Sequence, residues 1–250
     1  MPKPRIILCL EKRARRHRHS LFVELLSRIE RPLKILDVGG TYDYWRQTDV
    51  AALGNVRIVL LNLFPQDGLV PPFSAAVGDA RDLSRYADKE FDVVFSNSLL
   101  GQAGRFADQM RMSSEIRRVG KHHFVQTPNH SFIIDWRTLV PCFHFLPVSF
   151  QALCFRNFSV GTYQRVTDRA TSLQLASRIR NVRKRELRLL FPDSTVVCER
   201  FLGMTKSFMI QGGFSRSEPN AKCSRPLNPT LPSSGPPPEI QIIDGLPDYL

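Results

Sequence analysis

The sequence is short of cysteine, short of acid and without a long apolar run, and each shortage closes off a class of protein. Five cysteines stand in 250 residues: Cys9, Cys142, Cys154, Cys198 and Cys223. They are odd in number and scattered, with no C-x-x-C pair and no Cys/His ligand spacing. Neither a disulfide framework nor a zinc site is expected, and a reducing, cytoplasmic location is the simple reading. No stretch approaches the roughly 18 apolar residues that a membrane-spanning helix needs. The one early apolar run, Ile6 to Leu10, precedes basic residues, the reverse of a secretory signal. Asp and Glu number 23 against 35 Lys and Arg, a net charge of +12. That balance favours anionic partners (nucleic acid, a membrane surface, phosphorylated ligands) without choosing among them.

What is present is enough for one sizeable α/β domain with extensions, since 42% of the residues are hydrophobic. Residues 1–18 form a basic segment, including Lys12–His19 (KRARRHRH), and are expected to be loosely ordered. This segment could touch RNA or phospholipid headgroups, although no RNA-binding motif with interleaved aromatics accompanies it. The main domain is expected over 19–214. Leu21, Phe22, Leu25, Leu26 and Ile29 recur at helical spacing, and Pro32 ends that helix.

Short apolar strands follow at Lys34–Val38, Val56–Asn62, Ala75–Asp79, Phe91–Ser96 and His123–Thr127, with a final pair at Val196–Phe201 and Ser207–Gln211. Helices are expected at Tyr42–Leu53, Arg105–Val119 and Arg183–Phe191 between them. Strands alternating with helices predict a doubly wound α/β sheet. Residues 131–180 read as an insert or cap after the fifth strand, apolar and aromatic over 131–160 and broken by two prolines. Residues 215–250 hold 8 of the 18 prolines and few core-type residues, so a disordered tail is expected there.

In open α/β sheets, ligands bind beyond the carboxyl ends of the strands, where the strand order reverses. The first strand ends in Asp37, Gly39, Gly40 and Thr41. The second ends at Asn62, the third in Gly78, Asp79 and Ala80, and the fourth in Ser96, Asn97 and Ser98. Polar residues at four successive strand ends outline a crevice, although loop starts exposed to solvent are polar too. His130 follows the fifth strand on the same edge and is the best histidine for catalysis, and Asp135 on the insert could reach the cleft. Tyr42, Tyr44 and Trp45 either close over a ligand or pack on the sheet.

The order LKILDVGGT, VRIVLLN, VGDARDL, FDVVFSNSLL, RRVGKHHFVQTPN, over about residues 33–211, resembles the class I S-adenosylmethionine-dependent methyltransferases of the methyltransferase-type-11-like group. The resemblance implies a Rossmann-like, seven-stranded mixed sheet with S-adenosyl-L-methionine across the strand ends. By position, Asp37, Gly39 and Gly40 would line its methionine part, Asn62 the ribose, Asp79 and Ala80 the adenine, and Ser96 its inner face, with Thr41 also counted as cofactor-binding. Three departures stand out. Thr41 and Asp43 replace the later glycines of the usual D-x-G-x-G-x-G loop. Asn62 replaces an acid, a loss of about 1 kcal/mol of cofactor affinity. Gly101 and Gln102 stand where relatives carry a Glu-His pair, so a general base is missing there.

The activity implied is methyl transfer to a small-molecule or lipid-like acceptor. The alternatives are a degenerate methyltransferase fold that binds without turnover, and an RNA methyltransferase. Phe132, Trp136, Phe143, Phe145, Phe150, Phe155 and Phe158 could line an apolar substrate pocket. With Arg137 and Arg156 interleaved, the insert could instead rest on an anionic membrane surface, or be a plain helical lid.

Overall fold

A computed structural model describes residues 5–135 and 137–214, so the expected tail at 215–250 and Trp136 lie outside the described residues. In chain order the elements are α1 (Arg5–Leu26), β1 (Leu33–Val38), α2 (Tyr42–Arg46), β2 (Val56–Asn62), β3 (Phe73–Val77), β4 (Phe91–Asn97), α3 (Phe106–Val119) and β5 (Gly120–Pro128). The insert contributes α4 (Val148–Asn157) and α5 (Arg169–Arg178). Then come α6 (Lys184–Leu190), β6 (Thr195–Phe201) and β7 (Met204–Gly212).

One seven-stranded sheet runs β3-β2-β1-β4-β5-β7-β6. The first five strands are parallel; β7 enters antiparallel beside β5, and β6 pairs antiparallel with β7. This is the seven-stranded mixed sheet that the resemblance implies. Leu202 and Gly203, both at positive φ, make the two-residue turn of the β6–β7 hairpin, as the right-handed twist of paired strands favours.

Side chains alternate across each strand and feed two cores. On one face Leu36, Val38, Val94 and Val125 pack with Met112 and Ile116 of α3 and Leu187 and Leu190 of α6. On the other, Leu33, Ile35, Phe95 and Phe124 meet Phe22 of α1 and Trp45 of α2. Helices therefore cover both faces, as the strand–helix alternation predicts. A third, smaller core lies within the insert, where Phe143, Phe155, Leu175 and Ile179 are buried together.

Two expectations are corrected. The segment 1–18 is not loosely ordered over Arg5–Arg18: it is the first half of α1, and the 18/19 boundary falls inside that helix. Phe22, Leu25 and Leu26 anchor it, and polar contacts hold its basic half: Arg15 donates to Gln47 Oε1 at 2.5 Å and Arg18 to Asn97 Oδ1 at 3.2 Å. The helix expected over Tyr42–Leu53 stops at Arg46, with a separate turn of 3-10 helix at Ala51–Leu53. Thr48 and Asp49 break it, since the Thr48 hydroxyl donates back to Trp45 O and the Asp49 carboxylate accepts from Ala52 N.

Candidate functional site

The loops after β1, β2 and β3 open on a cleft of about 1720 Å³, closed on the far side by residues 162–168 of the insert and by α5. Small-molecule sites occupy roughly 300–1,000 Å³, so the cleft is larger than one such site. Gly39, Thr41, Asn62, Asp79 and Ala80 line it. Asp37, Gly40 and Ser96 are not among its lining residues.

Register explains the position of Asp37. It shares the face of Leu33 and Ile35, so its side chain turns under α2, where Trp45 Nε1 donates to Oδ2 at 2.7 Å. Oδ1 is buried with no hydrogen-bond partner. Burial raises this carboxyl to about 7, and the Trp45 hydrogen bond only partly opposes that.

The two glycines serve different needs. Gly39 adopts φ +77°, and a Cβ there would meet Leu99 Cδ2 at 2.7 Å. At Gly40 a Cβ would lie 1.8 Å from Asp37 Oδ2, so the space freed at this position is filled by the chain's own carboxylate. Thr41 needs no positive φ: at −119° it caps α2, its hydroxyl accepting from Tyr44 N. A loop poor in glycine is thus what a strand-to-helix turn with a threonine cap requires.

Asn62 sits at the cleft with Nδ2 3.4 Å from Gly40 O, an acceptor that Gln66 Nε2 approaches more closely at 3.0 Å. Asp79 faces the cleft already engaged. Arg81 Nε donates to both of its oxygens at 3.0 Å and Nη2 to Oδ2 at 2.5 Å. Burial pushes the Asp79 carboxyl up, but the hydrogen bonds and charge of Arg81 outweigh it and hold it below the usual range. Ser96 is fully buried, its hydroxyl donating to Val38 O at 3.1 Å. Ser98, two residues on, takes φ +66° and donates to Gln126 Oε1 at 2.6 Å. Such left-handed non-glycine residues concentrate at functional sites, and the strained turn delivers Leu99 to the cleft wall.

The two histidine and aspartate candidates stand apart from this cleft. His130 packs edge-on to Phe145 and His144, with burial and the nearby Arg183 lowering its pKa. Asp135 is buried in a clasp: Arg137 Nε and Nη2 donate to its oxygens at 2.9 and 2.5 Å, and Asn181 Nδ2 donates at 2.9 Å. Burial pushes this carboxyl up, yet Arg137 holds it at about 2. Neither residue lines the cleft. Nor do the insert aromatics: Phe132, Phe143 and Phe155 are buried, while Phe145, Phe150 and Phe158 face outward. Tyr42 does line the cleft, whereas Tyr44 and Trp45 pack against Phe95.

Sequence reasoning missed Arg81, Leu99, Tyr163 and Arg178, all on the cleft wall. The signal for Tyr163 was the largely polar run Gly161–Asp168 between α4 and α5; for Arg81 there was none beyond its place two residues after an acid. Among the described residues, no cluster of three or more His, Cys, Asp or Glu side chains could hold a metal ion.

No protein-family model and no curated protein matches this sequence. Solved structures do. One is a possible exported protein from Bordetella parapertussis, 15% identical, with a TM-score of 0.48, covering 78% of this chain and 66% of its own. A SAM-dependent methyltransferase from Methanosarcina mazei is 15% identical at a TM-score of 0.44, covering 74% of this chain and 93% of its own. A SAM-dependent methyltransferase from Aquifex aeolicus is 11% identical at 0.46, covering 84% and 98%. This chain therefore spans just under two thirds of the length of the first of the three.

Proposed function

We propose that the protein is an S-adenosylmethionine-dependent methyltransferase acting on a small-molecule or lipid-like acceptor. One observation carries this reading. The cleft lies along the carboxyl ends of successive parallel strands, next to the β1/β4 switch point, and is walled by Gly39, Asn62 and Asp79.

The residues fit the cofactor. Gly39 and Thr41 leave room at the end of β1 for the methionine part, while Asp37 is turned away under Trp45 and does not face the cleft. The Asn62 amide suits ribose hydroxyls, and Leu61, Leu63 and Leu99 offer apolar walls to a flat base. Bound there, S-adenosylmethionine supplies an electrophilic methyl group on a sulfonium centre. The protein's part is to hold an acceptor in line and exclude water. Burial raises the phenol of Tyr163, so at neutral pH it stays a hydrogen-bond donor at the cleft wall, able to orient an acceptor oxygen.

A second reading, binding without turnover, draws on a different observation. The carboxylate of Asp79 is already taken by Arg81, and Gln102 on the cleft wall cannot accept a proton at neutral pH. Calorimetric titration with S-adenosylhomocysteine should give saturable heat. Absence of heat and of a thermal shift at millimolar ligand overturns both readings. Transfer of labelled methyl from S-adenosylmethionine into small-molecule or lipid extracts supports the enzyme reading, and binding without transfer supports the second. Asn62→Asp should tighten the cofactor by about 1 kcal/mol, roughly fivefold, because Gln66 still satisfies Gly40 O while the ribose gains a charged acceptor.

A further inference from the structure

Half of the exposed large hydrophobic side chains among the described residues fall within 133–158. Phe150 and Leu153 lie on the outer face of α4, opposite the buried Gln151, Ala152 and Phe155. Phe145 and Val148 precede them and Phe158 follows, the last 66% exposed. Aromatic side chains held out in water on a helix face mark an interaction surface.

The charge around this surface has one sign. From residue 131 to 167 the only acid is Asp135, and it is buried under Arg137. Arg156 and Arg165 are exposed and make no ion pair among the described residues. They are neighbours: Arg165 Nε donates to Arg156 O at 2.9 Å, beside Phe158. A second copy of the chain is a poor occupant, because a two-fold contact sets the patch against itself and leaves these arginines without counter-charge.

We infer that this face of the insert docks on an anionic lipid bilayer surface, with Phe145, Phe150, Leu153 and Phe158 entering the headgroup–acyl boundary and Arg156 and Arg165 contacting lipid phosphates. Interfacial helices combine those two elements, and the overall charge of +12 adds long-range attraction. Arg165 also lines the cleft, so docking brings the cleft mouth to the lipid surface. The inference does not depend on methyl transfer.

The test is sedimentation of the full chain with phosphatidylcholine vesicles, with and without phosphatidylserine. The expected result is binding to the anionic vesicles that weakens as salt is added. Phe150→Ser with Phe158→Ser should reduce the vesicle partition coefficient at least tenfold. Arg156→Ala and Arg165→Ala should each reduce it about fivefold on anionic vesicles. All four side chains are exposed, and an unchanged melting temperature confirms that the variants fold. No binding by the wild type overturns the inference. So does binding that the phenylalanine variants leave unchanged, which would assign it to the basic half of α1. Concentration-dependent dimerisation abolished by Phe150→Ser overturns it in favour of a second copy. Titration of the phenylalanine and Arg156→Ala variants with S-adenosylhomocysteine reads the cofactor site independently, since none of these residues lines the cleft, so either conclusion can fail while the other stands.

Discussion

Gly40 and Gly203 make the sharpest contrast between two residues of one type. Both lie in short connections between elements, yet a Cβ at Gly203 meets nothing within 4 Å, while one at Gly40 enters the Asp37 carboxylate. Gly203→Ala should cost only the left-handed backbone penalty, about 1 kcal/mol. Gly40→Ala must displace a buried carboxyl or bend the loop, and should cost about 1–3 kcal/mol and lower cofactor affinity with it. Urea denaturation of the two variants, with titration of each, reads both effects; equal costs would mean that the loop yields. The neighbouring Asp37 was legible in the sequence as a strand-end acid. Its burial was not, because the alternation that turns it under Trp45 depends on which face of β1 each helix covers.

The insert is fastened to the sheet's far loop by the clasp of Asp135, Arg137 and Asn181. Asp135 and Arg137 belong to the insert and Asn181 to the approach to α6. Arg137→Met leaves a buried carboxylate without its counter-charge and should cost about 3–5 kcal/mol. Arg156→Met, on the exposed face of α4, should stay within about 0.5 kcal/mol. Comparable losses in denaturant midpoint would show that the clasp carries no weight. Elements of this kind define what could be read in advance. Runs such as VRIVLLN and FDVVFS announce buried strands by themselves, since a strand covered on both faces needs no alternation. The basic half of α1 carries no apolar period, so its helix is visible only through the anchor that Phe22, Leu25 and Leu26 provide further along. Asp135 was misplaced for a related reason: its partner Asn181 is 46 residues away, and no local pattern joins them.

Across the whole molecule, the sheet separates two buried titrating groups. Asp37 lies on the α1 face. His123 lies on the α3 and α6 face, its ring tilted against Phe191 with Nε2 2.8 Å from Ser194 Oγ, and burial lowers its pKa to about 4. Their effects on stability run in opposite directions. The folded pKa of Asp37 is raised from 3.8 to about 7, so ionisation destabilises the fold progressively as pH rises through that window and by a constant amount above it. The folded pKa of His123 is lowered from 6.5 to about 4, so its contribution is complete above 6.5 and is lost as pH falls toward 4. Each slope is about 1.4 kcal/mol per pH unit, and between pH 4 and 6.5 they cancel. Asp37→Asn keeps an acceptor for Trp45 and removes one slope. The variant should therefore lose melting temperature on acidification from pH 6.5 to 4 where the wild type holds steadier, and parallel profiles would refute the pairing. The same separation fixes where a proton goes when the chain opens at pH 5. Asp37 releases one and His123 takes one up, so the exchange stays within the polypeptide. From this pair, the heat of unfolding then carries no contribution from the ionisation of the surrounding buffer.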